Sequence, residues 1–162
     1  MRRALFDVAA LIARVVVGVI FLAHGLQKAG DLDGTSSGFA QIGVPLPQLA
    51  ALFTTVVEIG AGALLIVGLL TPVAGLLLLV VTLGALFFVH WSNGVFVDDG
   101  GWELIGALSS VVILLAAAGA GRFSLDRLLF RRGNGAFDRG EASDFTDTRP
   151  FTMRGRSGGE AV

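Results

Sequence analysis

LAALFTTVVEIGAGALLIVGLLTPVAGLLLLVVTLGALFFV, running from Leu49 to Val89, contains one charged residue, Glu58, and one proline, Pro72. A hydrocarbon core about 30 Å thick takes roughly 17 to 25 helical residues, so the stretch reads as two spanning helices, Leu49 to Leu70 and Pro72 to Val89. Thr71 and Pro72 make a tight turn between them, with the proline opening the next helix where its missing N–H costs nothing. Outward from this pair, the same criterion finds Leu5 to Leu26 on one side. On the other it finds Leu104 to Ala118, which reaches about residues 102–120 if Trp102 and Phe123 mark its ends. The sequence therefore predicts an all-α integral membrane four-helix bundle.

Composition points the same way: 54% of the 162 residues are hydrophobic and the mean hydropathy is +0.77, well beyond what a soluble core needs. The absence of cysteine excludes thiol redox chemistry, CxxC metal sites and iron–sulfur ligation in this chain. Arg2 and Arg3 precede an apolar stretch as in a signal peptide, but Asp7 and Arg14 interrupt it and no A-x-A site closes it, so a retained helix is expected.

Basic residues set the expected orientation. Arg2 and Arg3 lie at one end, and Arg122, Arg127, Arg131 and Arg132 follow the fourth helix. The loop between the first two helices carries Asp31 and Asp33, and that between the third and fourth carries Asp98, Asp99 and Glu103 with no Lys or Arg. Both termini are expected to be cytoplasmic. Gly30 to Ser36 reads as a flexible turn and Gly38 to Gly43 as a short amphipathic turn on the surface. Residues 124–132 read as a short interfacial helix begun by Ser124. The domain is thus taken as residues 1–132, and 133–162, rich in Gly, Asp, Arg and Ser, as a disordered tail.

Arg14 and Glu58 are the charges placed deep inside these runs. Counted from the assumed helix ends they lie about 13 to 14 Å and 16 to 17 Å from the cytoplasmic edge, level within one turn. Since an isolated charge there costs about 2.5 to 3.5 kcal/mol or more, an intramembrane ion pair between them is expected, either as a staple between helices or as a ligand or proton site. Arg14, Gly18, Phe21, Gly25 and Lys28 form one stripe of the first helix, and Thr54, Glu58, Gly62 and Leu65 one of the second, with small residues beside each charge. At the outer level His24 and His90 fall at about 28 and 27 Å, near Lys28, Trp91, Trp102 and Glu103. His24, Lys28, His90 and Glu103 are therefore the candidate outer ligand site, for a quinone headgroup, a metal ion or an extracellular partner. No metal is assigned, because no ligand spacing such as HExxH is present. Nucleotide-binding, acyl-transfer and nucleic-acid-binding motifs are absent.

The combination of Arg14, Gly18, Phe21, His24, Gly25 and Lys28, Gly43 with Pro45 and Pro47, Glu58 with Gly62, Gly68, Leu69 and Thr71, and the closing Gly119, Gly121, Arg122, Ser124, Leu125 and Asp126 resembles the DoxX family of small bacterial membrane proteins, over about residues 8 to 129. The resemblance implies a multi-pass protein of the bacterial plasma membrane related to the membrane subunit of a thiosulfate to quinone oxidoreductase, with Gly121, Arg122, Ser124 and Asp126 as a cytoplasmic family signature. Three roles are expected from the residues and the resemblance together: an accessory or anchoring subunit of a membrane redox assembly, not catalytic alone; a quinone-linked oxidoreductase subunit using the outer cluster; or a small-solute transporter using Arg14 and Glu58. Its partners would be the lipid bilayer and a redox protein or further copies of itself.

Overall fold

The computed structural model describes residues 2–130; the expected disordered tail and the last two residues of the expected interfacial helix lie outside them. The described residues are helical, with no strand. They form α1 (Arg2–Gly30), α2 (Leu32–Gln41), α3 (Pro47–Val67), α4 (Thr71–Ala85), α5 (Glu103–Ala118) and α6 (Leu125–Phe130). Beyond α4 the chain continues through a π-helical turn, Leu86–His90, and a 3₁₀ turn, Trp91–Asn93. Three segments are long and apolar enough to cross a membrane: Ala4–Gly30, Pro47–Val67 and Thr71–Asn93. α5 is shorter, at 16 residues.

Local chemistry sets the ends. α3 stops at Gly68, whose φ of 70° suits glycine, while the Gly68 and Leu69 amides return to the Leu65 and Leu64 carbonyls. Leu70, also left-handed, turns the chain and Pro72 starts α4. Of the segment expected to be a flexible turn, Gly30 ends α1, Asp31 is a cap, and Leu32 to Ser36 are the start of α2. Asp31 caps that helix by accepting from the Gly34 amide at 2.8 Å, which outweighs the poor helix propensity of its glycines and serines. No residue of α2 is buried.

α1 packs most extensively on α3, α3 on α4 and α4 on α5, and α1 touches α5 to close the ring. The interior holds Val17, Phe21, Leu65, Leu78 and Val112, and also the polar Arg14, Glu58, Thr55, Thr71, Thr82 and Ser109. Large apolar side chains such as Ile12, Val19, Leu52, Val56 and Leu114 face outward. An apolar exterior around a partly polar interior is the distribution a bilayer requires. The buried hydroxyls of Thr55 and Ser109 are met locally, each donating at 2.7 Å to the carbonyl four residues earlier, whereas that of Thr71 has no partner among the described residues.

The α1–α3 seam is a backbone contact. A Cβ on Gly18 would lie 2.7 Å from the Gly62 carbonyl oxygen, and one on Gly62 would lie 2.9 Å from the Gly18 carbonyl oxygen and the Leu22 nitrogen. Since backbone cannot step aside as a side-chain tip can, Gly62→Leu should force the helices apart and cost roughly 1 to 3 kcal/mol. Gly60, on the same helix, has open space around it, so Gly60→Ala should not destabilise the protein and should gain up to about 1 kcal/mol from helix propensity. Thermal unfolding of both variants in detergent, followed by circular dichroism, checks this; equal effects would mean that the seam is not close-packed.

Candidate functional site

Two polar clusters occupy opposite ends of the bundle. The first surrounds Arg14, which is fully buried. Its Nη2 donates to the Phe123 carbonyl, and Nη1 lies against Gly68, where a Cβ would come within 1.8 Å of it. Asp126 accepts from the Leu70 and Thr71 amides at 2.7 and 3.1 Å, capping α4 from a distant point in the chain. Such a cap contributes about 1 kcal/mol. The Asp126 amide in turn donates to the Gly68 carbonyl at 3.0 Å. Asp7 accepts from the Arg122 amide at 2.8 Å, while the Arg122 side chain, mostly exposed, stays 3.9 Å from it. Ser124 donates to the Gly121 carbonyl and accepts from the Arg127 amide. The segment Gly121, Arg122, Ser124 and Asp126 thus works as a clamp that ties the closing turn to α1 and to the α3–α4 corner.

The expected pair of Arg14 with Glu58 is not formed. Gly25, not Arg14, is level with Glu58: a Cβ on Gly25 would meet the Glu58 Cβ at 3.0 Å, whereas Arg14 is level with Gly68. The eleven-residue step from Arg14 to Gly25 is about 16 Å along the helix. Glu58 is taken instead by Lys28, whose Nζ donates to Oε1 at 2.6 Å and also to Oε2. The Lys28 side chain is 22% exposed and that of Glu58 6%. Helix α1 runs four residues beyond Leu26, keeping Lys28 helical, on the α3 face and within reach.

This pair lies in the wall of a cavity of about 470 Å³ between α1, α3, α4 and α5. Its lining is mainly apolar, with Phe21, Phe53, Phe88 and Leu108 among it, and His24, Lys28, Glu58 and His90 supply polar groups. Phe39 of α2 and Val97 and Gly101 of the loop before α5 also line it. The π turn ends at His90, and wider turns of this kind re-aim the residues that follow. His90 Nδ1 donates to the Gly100 carbonyl at 2.7 Å, and His24 Nδ1 to the Ile20 carbonyl at 2.8 Å.

Of the four residues expected at the outer site, His24, Lys28 and His90 line the cavity and Glu103 does not. Glu103 Oε1 accepts from the Val97 amide at 2.8 Å, folding the loop onto the start of α5. Glu58 takes its place, a partnership that helix ends guessed from hydropathy concealed. Trp91 and Trp102 stay exposed, as interfacial anchors do. Among the described residues no group of three or more His, Asp or Glu side chains is placed to hold a metal ion.

The family model described as DoxX matches residues 9–91, a span that contains the cavity's charged pair and both histidines but ends before the clamp segment. Inner membrane protein YphA of Escherichia coli is 34% identical over 122 residues, covering 72% of this chain and 87% of that protein. Putative oxidoreductase CatD of Bacillus subtilis is 32% identical over 126 residues, covering 78% and 90%. Uncharacterized membrane protein Rv3486 of Mycobacterium tuberculosis is 37% identical over 130 residues, covering 74% and 80%. No solved structure matches the chain.

Pairing of Lys28 with Glu58 is checked by a double-mutant cycle. Lys28→Leu and Glu58→Leu should each destabilise the detergent-solubilised protein, and the double change should recover about 0.5 to 3 kcal/mol of the summed loss. Arg14→Leu combined with Glu58→Leu should show additive losses; recovery there instead would put Arg14 and Glu58 together.

Proposed function

The chain belongs to the DoxX family of membrane proteins, and on that premise we propose that it is a membrane subunit of a redox assembly that holds a quinone-class ligand in its histidine-lined cavity. The cavity carries this reading. Its 470 Å³ falls in the range of small-molecule sites, about 300 to 1,000 Å³, and it combines apolar walls with a few convergent polar groups. Apolar walls suit the ring and isoprenoid tail of a quinone-class molecule, and Lys28, His24 and His90 place polar groups beside its oxygen-bearing head. A bound quinone supplies two-electron, two-proton redox capacity, which the cysteine-free chain does not provide through thiols. The chain's own residues bind and orient: the Lys28–Glu58 pair holds an N–H donor in the wall, and the aromatic side chains exclude water. The name putative oxidoreductase, borne by CatD of Bacillus subtilis, accords with such a role. Solute transport has less support, since it relied on Arg14 and Glu58 sharing one level.

Both termini are cytoplasmic in this proposal, with the cavity toward the outer face, because basic residues gather at the clamp end and Asp98, Asp99 and Glu103 at the other. Cysteines introduced at the exposed positions Ser37 and Asn93 should react with a membrane-impermeant maleimide in intact cells. Labelling only after the membrane is opened would reverse the orientation.

Ligand content tests the main reading. Protein purified in mild detergent should yield a quinone on lipid extraction and mass spectrometry. Gly84 lines the cavity, and a Cβ there meets nothing within 4 Å, so Gly84→Phe has room to leave the backbone and should place its ring in the cavity and remove the quinone. Equal quinone in both proteins, or none in the parent, would overturn the assignment.

A further inference from the structure

The two histidines share a feature that the cavity's shape alone does not reveal. Each gives its Nδ1 to a backbone carbonyl, His24 to Ile20 at 2.8 Å and His90 to Gly100 at 2.7 Å. A carbonyl oxygen only accepts, so Nδ1 carries the proton, and in the neutral imidazole Nε2 is left as an acceptor. The two rings come from different parts of the chain, α1 and the π turn after α4, yet both line the same cavity and both are fixed in the same tautomer. Lys28 spends two of its three N–H donors on Glu58 and has one left. The Thr54 and Thr82 hydroxyls, which also line the cavity, spend their protons on the Ala51 and Leu79 carbonyls, so the side chains of the lining offer a ligand mainly acceptors, with Lys28 keeping one donor.

A quinone brings two carbonyl oxygens, which can only accept. One can take the Lys28 donor, but a carbonyl facing a histidine Nε2 sets lone pair against lone pair and leaves both groups unpaired, at a cost in a low-dielectric site. A hydroquinone of the same shape brings two hydroxyls that donate to Nε2 and can still accept from Lys28. We infer that His24 and His90 make this cavity selective for the reduced, hydroxyl-bearing form of its ligand, so that the protein binds a quinol more tightly than the corresponding quinone. This rests on the proposed quinone-class reading and specifies which redox form the site is built to hold.

Isothermal titration calorimetry of the detergent-solubilised protein under argon, with menadione and with dithionite-reduced menadiol, tests it. Menadiol should bind about fivefold tighter or more, the ratio that one well-made rather than unmade hydrogen bond provides. Asparagine can reproduce the Nδ1 donor but has nothing in place of Nε2, so the double variant His24→Asn, His90→Asn should bring the two affinities together by weakening menadiol. Equal affinities in the parent protein, or tighter menadione, would overturn the selectivity while leaving the cavity's ligand class standing. A preference that survives in the double variant would remove the histidines as its cause. Binding of neither form would overturn both the selectivity and the ligand class.

Discussion

Backbone meets backbone between α1 and α3, and the positions of the polar groups follow from that contact. In a bilayer the lipid tails are as apolar as the helix surfaces, so burial gives little reason for helices to associate; close van der Waals packing must hold them. Gly18 against Gly62 permits that approach and fixes the sliding register of the two helices. Once it is fixed, Gly25 stands beside Glu58 and Arg14 beside Gly68. Two charges that either helix alone would leave at ambiguous depths are thereby sent to different ends.

Those ends are built on different physics. Around Arg14 the partners are main-chain groups: the Phe123 carbonyl, the Leu70 and Thr71 amides on Asp126, and the Arg122 amide on Asp7. Main-chain partners cannot rotate away, and the result is a corner fastened to the backbone. At the histidine end the partners are side chains, and the space between four helices is left unfilled. Gly121, Arg122, Ser124 and Asp126 belong to the first kind, and their contacts are those of a fastening.

Much of this was legible in the sequence and some was not. Apolar runs longer than a bilayer's thickness announce helices directly, and the tightness of the α3–α4 connection follows from the absence of residues left for a loop, although the turn falls at Gly68 to Leu70 and the expected turn residues Thr71 and Pro72 already belong to α4. Depth was less accessible. Counting from Leu5 and Leu49 put Arg14 and Glu58 at one level, whereas the helices begin at Arg2 and Pro47 and α1 runs on to Gly30. The stripe through Arg14, Gly18, Phe21, Gly25 and Lys28 does face α3, but its far end holds the partner of Glu58, and a four-carbon stem lets Lys28 reach it. The glycines around Asp31 suggest a flexible turn in the sequence, and only the structure shows Asp31 capping α2. The π turn at Leu86–His90 and the contact of Glu103 with the Val97 amide have no local signature, because both depend on how the loop before α5 folds back.

The Lys28–Glu58 bridge also makes the cavity electrically closed. An ammonium and a carboxylate joined through both oxygens present a dipole, not a net charge, to anything beside them. An anion or a cation entering between those apolar walls would bring a field with no counter-ion to balance it, at a penalty that rises as water is excluded. A neutral molecule with a polar head carries no such penalty and finds the dipole ready oriented. On the proposed reading, electroneutrality would favour uncharged amphiphiles over ions in this site before any hydrogen bond forms.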